Sequence, residues 1–186
     1  MSACNSFDVL PFECDDLTFR LFDESDAAAF AAYRDNPEVA RYQGWTLPFT
    51  EDRALYMIRD MATQGGVVNG AWVNVAVTTN SPGEAQIIGD IAVGLNEAGD
   101  VAEVGFTITP EFHRKGYATR ATRHFMSALQ RHGVIKFRAS IHPENLASVR
   151  VLQKLGFQHV RTDKDAYEDR YGNMVDDAIY ESSPCL

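Results

Sequence analysis

The chain has few cysteines: Cys4, Cys14 and Cys185 are the three among 186 residues, and they lie near its two ends. An odd number at such separations excludes a disulfide framework and shows no metal-ligand spacing, so they read as thiols of a reducing compartment. His124, His132, His142 and His159 also lack metal-ligand spacing, and no metal is expected. No apolar run approaches the roughly 18 residues that a membrane span requires. The opening stretch carries Asp8, Glu13, Asp15 and Asp16 where a secretion signal would carry basic residues before an apolar run. Gly-x-x-x-x-Gly-Lys-Ser/Thr is absent, which argues against a nucleotide-dependent phosphotransferase. With 17 Lys+Arg against 26 Asp+Glu and a net charge of −9, a surface generally suited to nucleic acid is excluded. A cytoplasmic protein is the expectation, and 45% hydrophobic content over this length suffices for one compact core.

One further absence is local. Between Phe112 and Pro143 there is no Asp or Glu, while Arg114, Lys115, Arg120, Arg123, Arg131, Lys136 and Arg138 contribute seven of the 17 positive charges. At the head of this basic island stands Pro110-Glu-Phe-His-Arg-Lys-Gly-Tyr-Ala-Thr-Arg-Ala121, between a strand pattern and a helix pattern. A loop that opens a helix turns unpaired N–H groups and the positive end of the helix dipole toward one point, which suits an anion. Gly116 permits a backbone turn or close approach there, and Ala118 keeps the first helical turn narrow.

Taken in order, residues 1–16 read as an extended or partly disordered lead, and residues 17–182 as a single domain. Leu17–Phe22 alternates as a strand. Ser25 is positioned to cap a helix through Tyr33, Asn36-Pro37 opens a short second helix, and Thr50 opens a third that ends at Gln64-Gly65-Gly66. Ala71–Thr78, Ile87–Val93 and Val101–Ile108 form an antiparallel meander, with Ser81-Pro82-Gly83 in its first turn. The helix opened by Gly116 closes at Gly133, and a right-handed crossover sets a buried strand, Ile135–Ile141, parallel to the strand before it. Asn145 opens a further helix that ends at Gly156. Phe157–Thr162 and Met174–Tyr180 complete the strands, separated by an acidic loop from Asp163 to Asn173.

This order of elements, together with three motifs, resembles the GNAT acyl-CoA N-acetyltransferase superfamily, and within it the RimJ/RimL-like branch of ribosomal-protein N-acetyltransferases. The motifs are Glu103-Val-Gly-Phe106, the loop His113-Arg-Lys-Gly-Tyr-Ala118, and Asn145-x-x-Ser148-x-x-Val151-Leu-Gln-Lys-Leu-Gly-Phe157. Asn36-Pro-Glu-Val-Ala-Arg-Tyr42 also fits the branch, and the likeness runs from Leu17 to Tyr180. It implies an α/β fold with a central mixed sheet splayed between its fourth and fifth strands and flanked by helices. It also implies acetyl-CoA as cosubstrate, without a metal. His113 stands where the family usually has Gln or Arg, Arg120 where this branch often has an acid, and Leu152 where many members have a tyrosine general acid.

By the same likeness, Arg114, Lys115, Gly116, Tyr117, Ala118 and Thr119 take the cofactor's pyrophosphate, and its amide-bearing arm lies along Phe106, Thr107 and Ile108 as a pseudo-strand. Acetyl transfer to an amine requires a neutral nucleophile, a stabilised oxyanion and a protonated thiolate. Glu103 is the candidate base or a solvent-facing strand residue. Ser148 is the candidate donor to the thiolate or an ordinary helix serine, with Tyr117, Tyr167 and Tyr171 as other acids. Asn145 serves as helix cap, as partner of the cofactor amides, or both. Tyr42 and Trp45 line the acceptor pocket or pack. The acids of the 163–177 stretch attract a cationic acceptor or are solvated. The acceptor is a protein N-terminal α-amine or a small amine, attacked directly in a ternary complex by a monomer or homodimer. The rival reading is a non-catalytic module that senses CoA.

Overall fold

The alternating runs after Gly70 become three antiparallel strands in a computed structural model, which describes residues 6–80, 85–169 and 171–182. With the elements before them, the strands and helices are β1 (Ser6–Phe7), β2 (Phe12–Cys14), β3 (Leu17–Leu21), α1 (Ala27–Arg34), α2 (Pro37–Ala40), α3 (Glu51–Gln64), β4 (Val67–Val68), β5 (Trp72–Thr79), β6 (Ile87–Leu95) and β7 (Val101–Ile108). After them come α4 (Tyr117–Arg131), β8 (Lys136–Ile141), α5 (Leu146–Lys154), β9 (Gln158–Glu168) and β10 (Met174–Ser182). Eight strands form one mixed sheet in the order β2-β3-β5-β6-β7-β8-β10-β9, and β1 pairs separately with β4. Val75, Ala76 and Val77 are all fully buried, so both faces of β5 are covered. Helix α1 packs on α3 and β6, while α4 packs on β7 and α5.

Several local expectations change. Asp23, not Ser25, caps the first helical turn: its carboxylate accepts from Ser25 N, its own N–H donates to Asp26 Oδ2 at 2.7 Å, and Asp26 also pairs with Arg20 at 2.6 Å, so α1 proper starts at Ala27. Ile135 is 62% exposed, and the strand begins one residue later. The acidic 163–173 stretch is not all loop. β9 runs on to Glu168, with Arg161 neutralising Asp163 and Lys164 neutralising Asp176, and Asp169 N donates to Asn173 O where the hairpin closes. The lead before Leu17 contains β1 and β2, and β2 joins the sheet edge. The expected Ser81–Gly83 turn lies outside the described residues, as do Cys4 and Cys185.

The sheet's interior carries a charge. Asp90 of β6 is buried and accepts hydrogen bonds from Tyr33 Oη (2.8 Å), Arg34 (2.8 Å) and Asn74 Nδ2 (2.5 Å). The Arg34 guanidinium lies over the rings of Phe30 and Trp45, 4.4 and 4.3 Å from their centroids. The carboxylate is satisfied by three donors, while the guanidinium leaves its buried Nε without a hydrogen-bond partner beneath the stacked rings; removing one partner of such a pair costs about 3–5 kcal/mol.

β7 meets its two neighbours unequally. Toward β6 it is paired from Ala102 to Ile108. At Gly89 the strands approach so closely that a Cβ would sit 2.0 Å from Thr107 O, which only glycine tolerates. Toward β8 the pairing is parallel, as the crossover predicts, and ends at Glu103–Arg138 although both strands continue. The mixed sheet is therefore splayed between the expected fourth and fifth strands.

Candidate active site

The gap between β7 and β8 exposes main-chain groups. Thr109 N donates to Ile88 O on the β6 side, and Asp100 O accepts from Ile135 N and Lys136 N on the β8 side. Because strand residues alternate, the polar backbone of Thr107 turns to β6 while that of Phe106 and Ile108 turns to the gap. His113 Nε2 lies 2.7 Å from Ile108 O, and since a carbonyl only accepts, this nitrogen bears the proton. This contact accounts for His113 without a phosphate: it buttresses the loop against the strand end.

The loop itself follows from backbone geometry. A 3₁₀ turn at Pro110–Phe112 leads to an extended His113, then Arg114 at φ 60° and Gly116 at φ 82°. Gly116 is the N-cap of α4 and brings no side-chain cap, so the first intrahelical bond is Arg120 N to Gly116 O. The N–H groups of Tyr117, Ala118 and Thr119 are thus orphan donors of the helix's first turn. A Cβ on Gly116 would meet nothing within 4 Å, so the glycine answers to φ rather than to crowding.

These donors open onto a groove of about 810 Å³. All the sequence-predicted cofactor residues except Lys115 line it: Phe106, Thr107, Ile108, Arg114, Gly116, Tyr117, Ala118, Thr119 and Asn145. Lys115 instead holds its ammonium 5.2 Å from the Phe112 ring centroid. The groove's charge differs from the basic island. Arg120 pairs with Asp16 at 2.8 Å, Lys136 and Arg138 pair with Glu181, and Arg123 donates to Lys154 O. Arg114 is the island's one contribution; Arg41, Arg150 and Lys154 add the rest against a single acid, Glu38. Sequence reading missed these three. Their only signal is that Arg150 and Lys154 sit four apart, on one face of α5.

A second cavity, of about 300 Å³, continues from the groove through Tyr42, Gln43, Phe106, Asn145 and Ser148, which line both. Its far wall is Ser140 and His142 from the end of β8 with Tyr167 and Asp177 from the last hairpin. Ser148 thus stands where the two spaces meet, and Asn145 Oδ1 accepts from its N–H at 3.2 Å as the N-cap of α5. Tyr42 tilts against the His142 ring, centroids 4.9 Å apart. Trp45 lines neither space: its indole N–H donates to Arg34 O at 3.0 Å and its ring covers the buried guanidinium. Of the other candidate acids, Tyr117 lines the groove and Tyr167 the cavity, while Tyr171 is exposed at the hairpin turn.

Glu103 does not line the cavity; it occupies the last paired rung before β7 and β8 part. Burial raises its pKa above the ordinary 4.5, Arg138 opposes that rise, and Asp177 adds to it. Burial and the nearby Asp177 and Asp169 charges likewise keep the Tyr167 hydroxyl protonated above the usual range. The elements at the fork therefore supply a carboxylate of raised basicity, hydroxyl donors at Ser148 and Tyr167, and open backbone donors on β7.

Residues 16–158 match the acetyltransferase (GNAT) domain family. The chain belongs to this family. Among its relatives is the uncharacterised N-acetyltransferase YoaA of Bacillus subtilis (strain 168), 30% identical over 78% of this chain and 81% of that one. Of solved structures, a GNAT-family acetyltransferase from Bacillus anthracis superposes with a TM-score of 0.80 at 22% identity, covering 94% of this chain and 98% of the other. RimL, a ribosomal L7/L12 α-N-protein acetyltransferase solved with coenzyme A, superposes with a TM-score of 0.79 at 16% identity, covering 91% and 95%. The protein is a GNAT acyltransferase. No helix among the described residues is long and apolar enough to cross a membrane.

Proposed function

We propose that the protein transfers an acetyl group from acetyl-CoA to a primary amine, by direct attack in a ternary complex of the RimJ/RimL kind. The observation that carries this reading is the continuity of the two spaces: the uncapped start of α4 opens on the groove, and the groove leads past the free edge of β7 into the smaller cavity. The pyrophosphate accepts hydrogen bonds from the N–H groups of residues 117–119, with Arg114, Arg150 and Lys154 nearby. Hydrogen bonds to charged groups are worth about 1.5–3 kcal/mol each, so these donors dominate cofactor affinity. The amide-bearing arm adds to β7 through the backbone of Phe106, because the matching carbonyl of Ile108 is already engaged by His113.

The amine enters from the side of Tyr42 and Tyr167. Glu103 lies behind the cavity wall and takes the ammonium proton through an intervening water. Its raised pKa makes it a better proton acceptor than an ordinary glutamate. The free amine attacks the thioester carbonyl, and the backbone N–H of Phe106, which faces the gap, holds the oxyanion. Collapse expels the CoA thiolate as the nitrogen sheds its extra proton, and the Ser148 hydroxyl, at the junction of the two spaces, relays that proton to the sulfur and is itself restored. The acceptor is a protein N-terminal α-amine or a small amine. RimL, named for an α-N-protein substrate, supports the former as the first to test. Thiol release from acetyl-CoA in the presence of short peptides and free amines tests the reading. Release dependent on one acceptor class is expected; CoA binding without release for any amine would leave a CoA-sensing module.

A further inference from the structure

Away from the groove, the fold joins three metal-ligating side chains that lie 109 and 110 positions apart in sequence. Cys14 and Asp15 end β2 and begin its turn into β3, and His124 projects from the middle of α4. The Cys14 sulfur lies 3.1 Å from His124 Nδ1, and Asp15 Oδ2 lies 2.9 Å from His124 Nε2. One ligand atom from each falls within a cluster whose members are no more than 4.8 Å apart. We propose that Cys14, His124 and Asp15 form a binding site for a borderline-soft divalent cation of the Zn²⁺ class.

Three observations support a cation rather than a thiol merely resting on an imidazole. First, the ligand types are those of zinc: one thiolate, one imidazole and one carboxylate, at about 2.3, 2.0–2.1 and 2.0–2.2 Å from the ion, with a fourth position left for solvent. Ligands at those lengths in a tetrahedron are separated by somewhat more than 3 Å, so Cys14 and His124 Nδ1 are close to their places. Asp15 rests on the other ring nitrogen, Nε2, so its exposed carboxylate must leave that contact and rotate toward Nδ1 to join the ion. Second, the surroundings are negative. Glu13, Asp15 and Asp16 flank the thiol in sequence, and the Arg120 charge nearby is paired with Asp16. Third, the elements that carry Cys14 and His124 are held together before any ion arrives. The Phe12 ring, on the same face of β2 as Cys14, stacks on Phe19 (4.5 Å) and Phe125 (6.3 Å), which locks the hairpin against α4 one residue from His124. Cys14 is half-buried, so solvent can deliver the ion. On binding, the thiol proton leaves to solvent and two sulfur and nitrogen bonds to the metal replace the Cys14–His124 contact.

The site would tie the sheet's edge hairpin to the helix whose first turn forms the anion loop, so its occupancy bears on the stability of that helix and not on the chemistry at the fork. The test uses the full chain after chelator treatment, with Zn²⁺ titrated calorimetrically against the parent protein and against Cys14→Ser and His124→Gln. A Cys4→Ser/Cys185→Ser variant serves as the control for the other thiols. One ion per chain is expected, with affinity unchanged in the control. Each ligand substitution should weaken it by at least the roughly 10- to 100-fold that loss of a mere supporting partner causes. Co²⁺ in place of Zn²⁺ should give a thiolate charge-transfer band in the parent and control that Cys14→Ser lacks. Absence of stoichiometric binding, or binding that survives either ligand substitution, would overturn the site.

Discussion

The two edges of β7 differ in what their polar groups do. On the β6 side every rung from Ala102 to Ile108 is paired, and the neighbouring strand carries Asp90 with its three donors. On the β8 side pairing stops at Glu103, and the backbone beyond it faces a groove. One strand thus joins a closed polar network to an open one. Satisfied groups hold the sheet together, and unsatisfied groups on the other edge stay available for a ligand. The comparison predicts that damage on the closed edge shows as lost stability and damage on the open edge as lost binding or turnover.

The largest effect belongs to the closed edge. Asp90→Ala leaves Arg34 buried without its carboxylate and should cost about 3–5 kcal/mol in chemical denaturation. Protein that still folds should bind acetyl-CoA with little change, and a large loss of affinity would break the distinction. Next comes Glu103→Gln, which should lower kcat about a hundredfold, the low end for a general base. Activity of the parent should rise with pH through a pKa above the ordinary 4.5, and the variant should lack that limb. Stability moves the opposite way. A carboxyl whose folded pKa is raised binds its proton more tightly when folded, so its contribution is most favourable below the ordinary value and is lost as pH rises through the folded one. Glu103→Gln should therefore melt no lower than the parent at neutral pH while turning over far more slowly; a variant equally damaged in both would make Glu103 a structural residue.

Gly116→Val comes third. A β-branched residue at φ 82° costs about 1–2 kcal/mol of stability. Displacing one or two helix-start donors should weaken acetyl-CoA binding by about 10- to 100-fold or more, from their worth of about 1.5–3 kcal/mol each. Equal affinity by calorimetry would remove the loop from the binding site. The smallest effect is expected for Ser148→Ala: turnover down about tenfold, the dissociation constant unchanged. Full activity in that variant would move the proton to Tyr167.

The features legible in sequence are those written in local chemistry. Gly116, Asn36, Thr50 and Asn145 mark helix starts because cap and φ requirements act over three or four residues. The meander and the parallel crossover follow from turn spacing and handedness. Three kinds of feature were not legible. The insertion of β10 between β8 and β9 is a non-local pairing, so the chamber wall formed by Tyr167 and Asp177 carries no sequence signal. Trp45 could have faced the cavity or the core, and the choice was made by Arg34, whose buried charge attracts an aromatic face. The basic island looked like one surface, but three of its seven charges, Arg120, Lys136 and Arg138, are cancelled by acids distant in sequence, Asp16 and Glu181.

The position of β10 separates the two halves of the task along the chain. The stretch matched to the family, residues 16–158, contains the loop before α4 and the fork, whereas the hairpin that walls the smaller cavity lies almost wholly beyond it. Under the mechanism proposed above, exchanging the outer part of that hairpin for another of equal length would leave the loop before α4 in place while reshaping the opening through which the nucleophile arrives. On that reading, choice of acceptor is written in a different part of the chain from the handling of the acyl group.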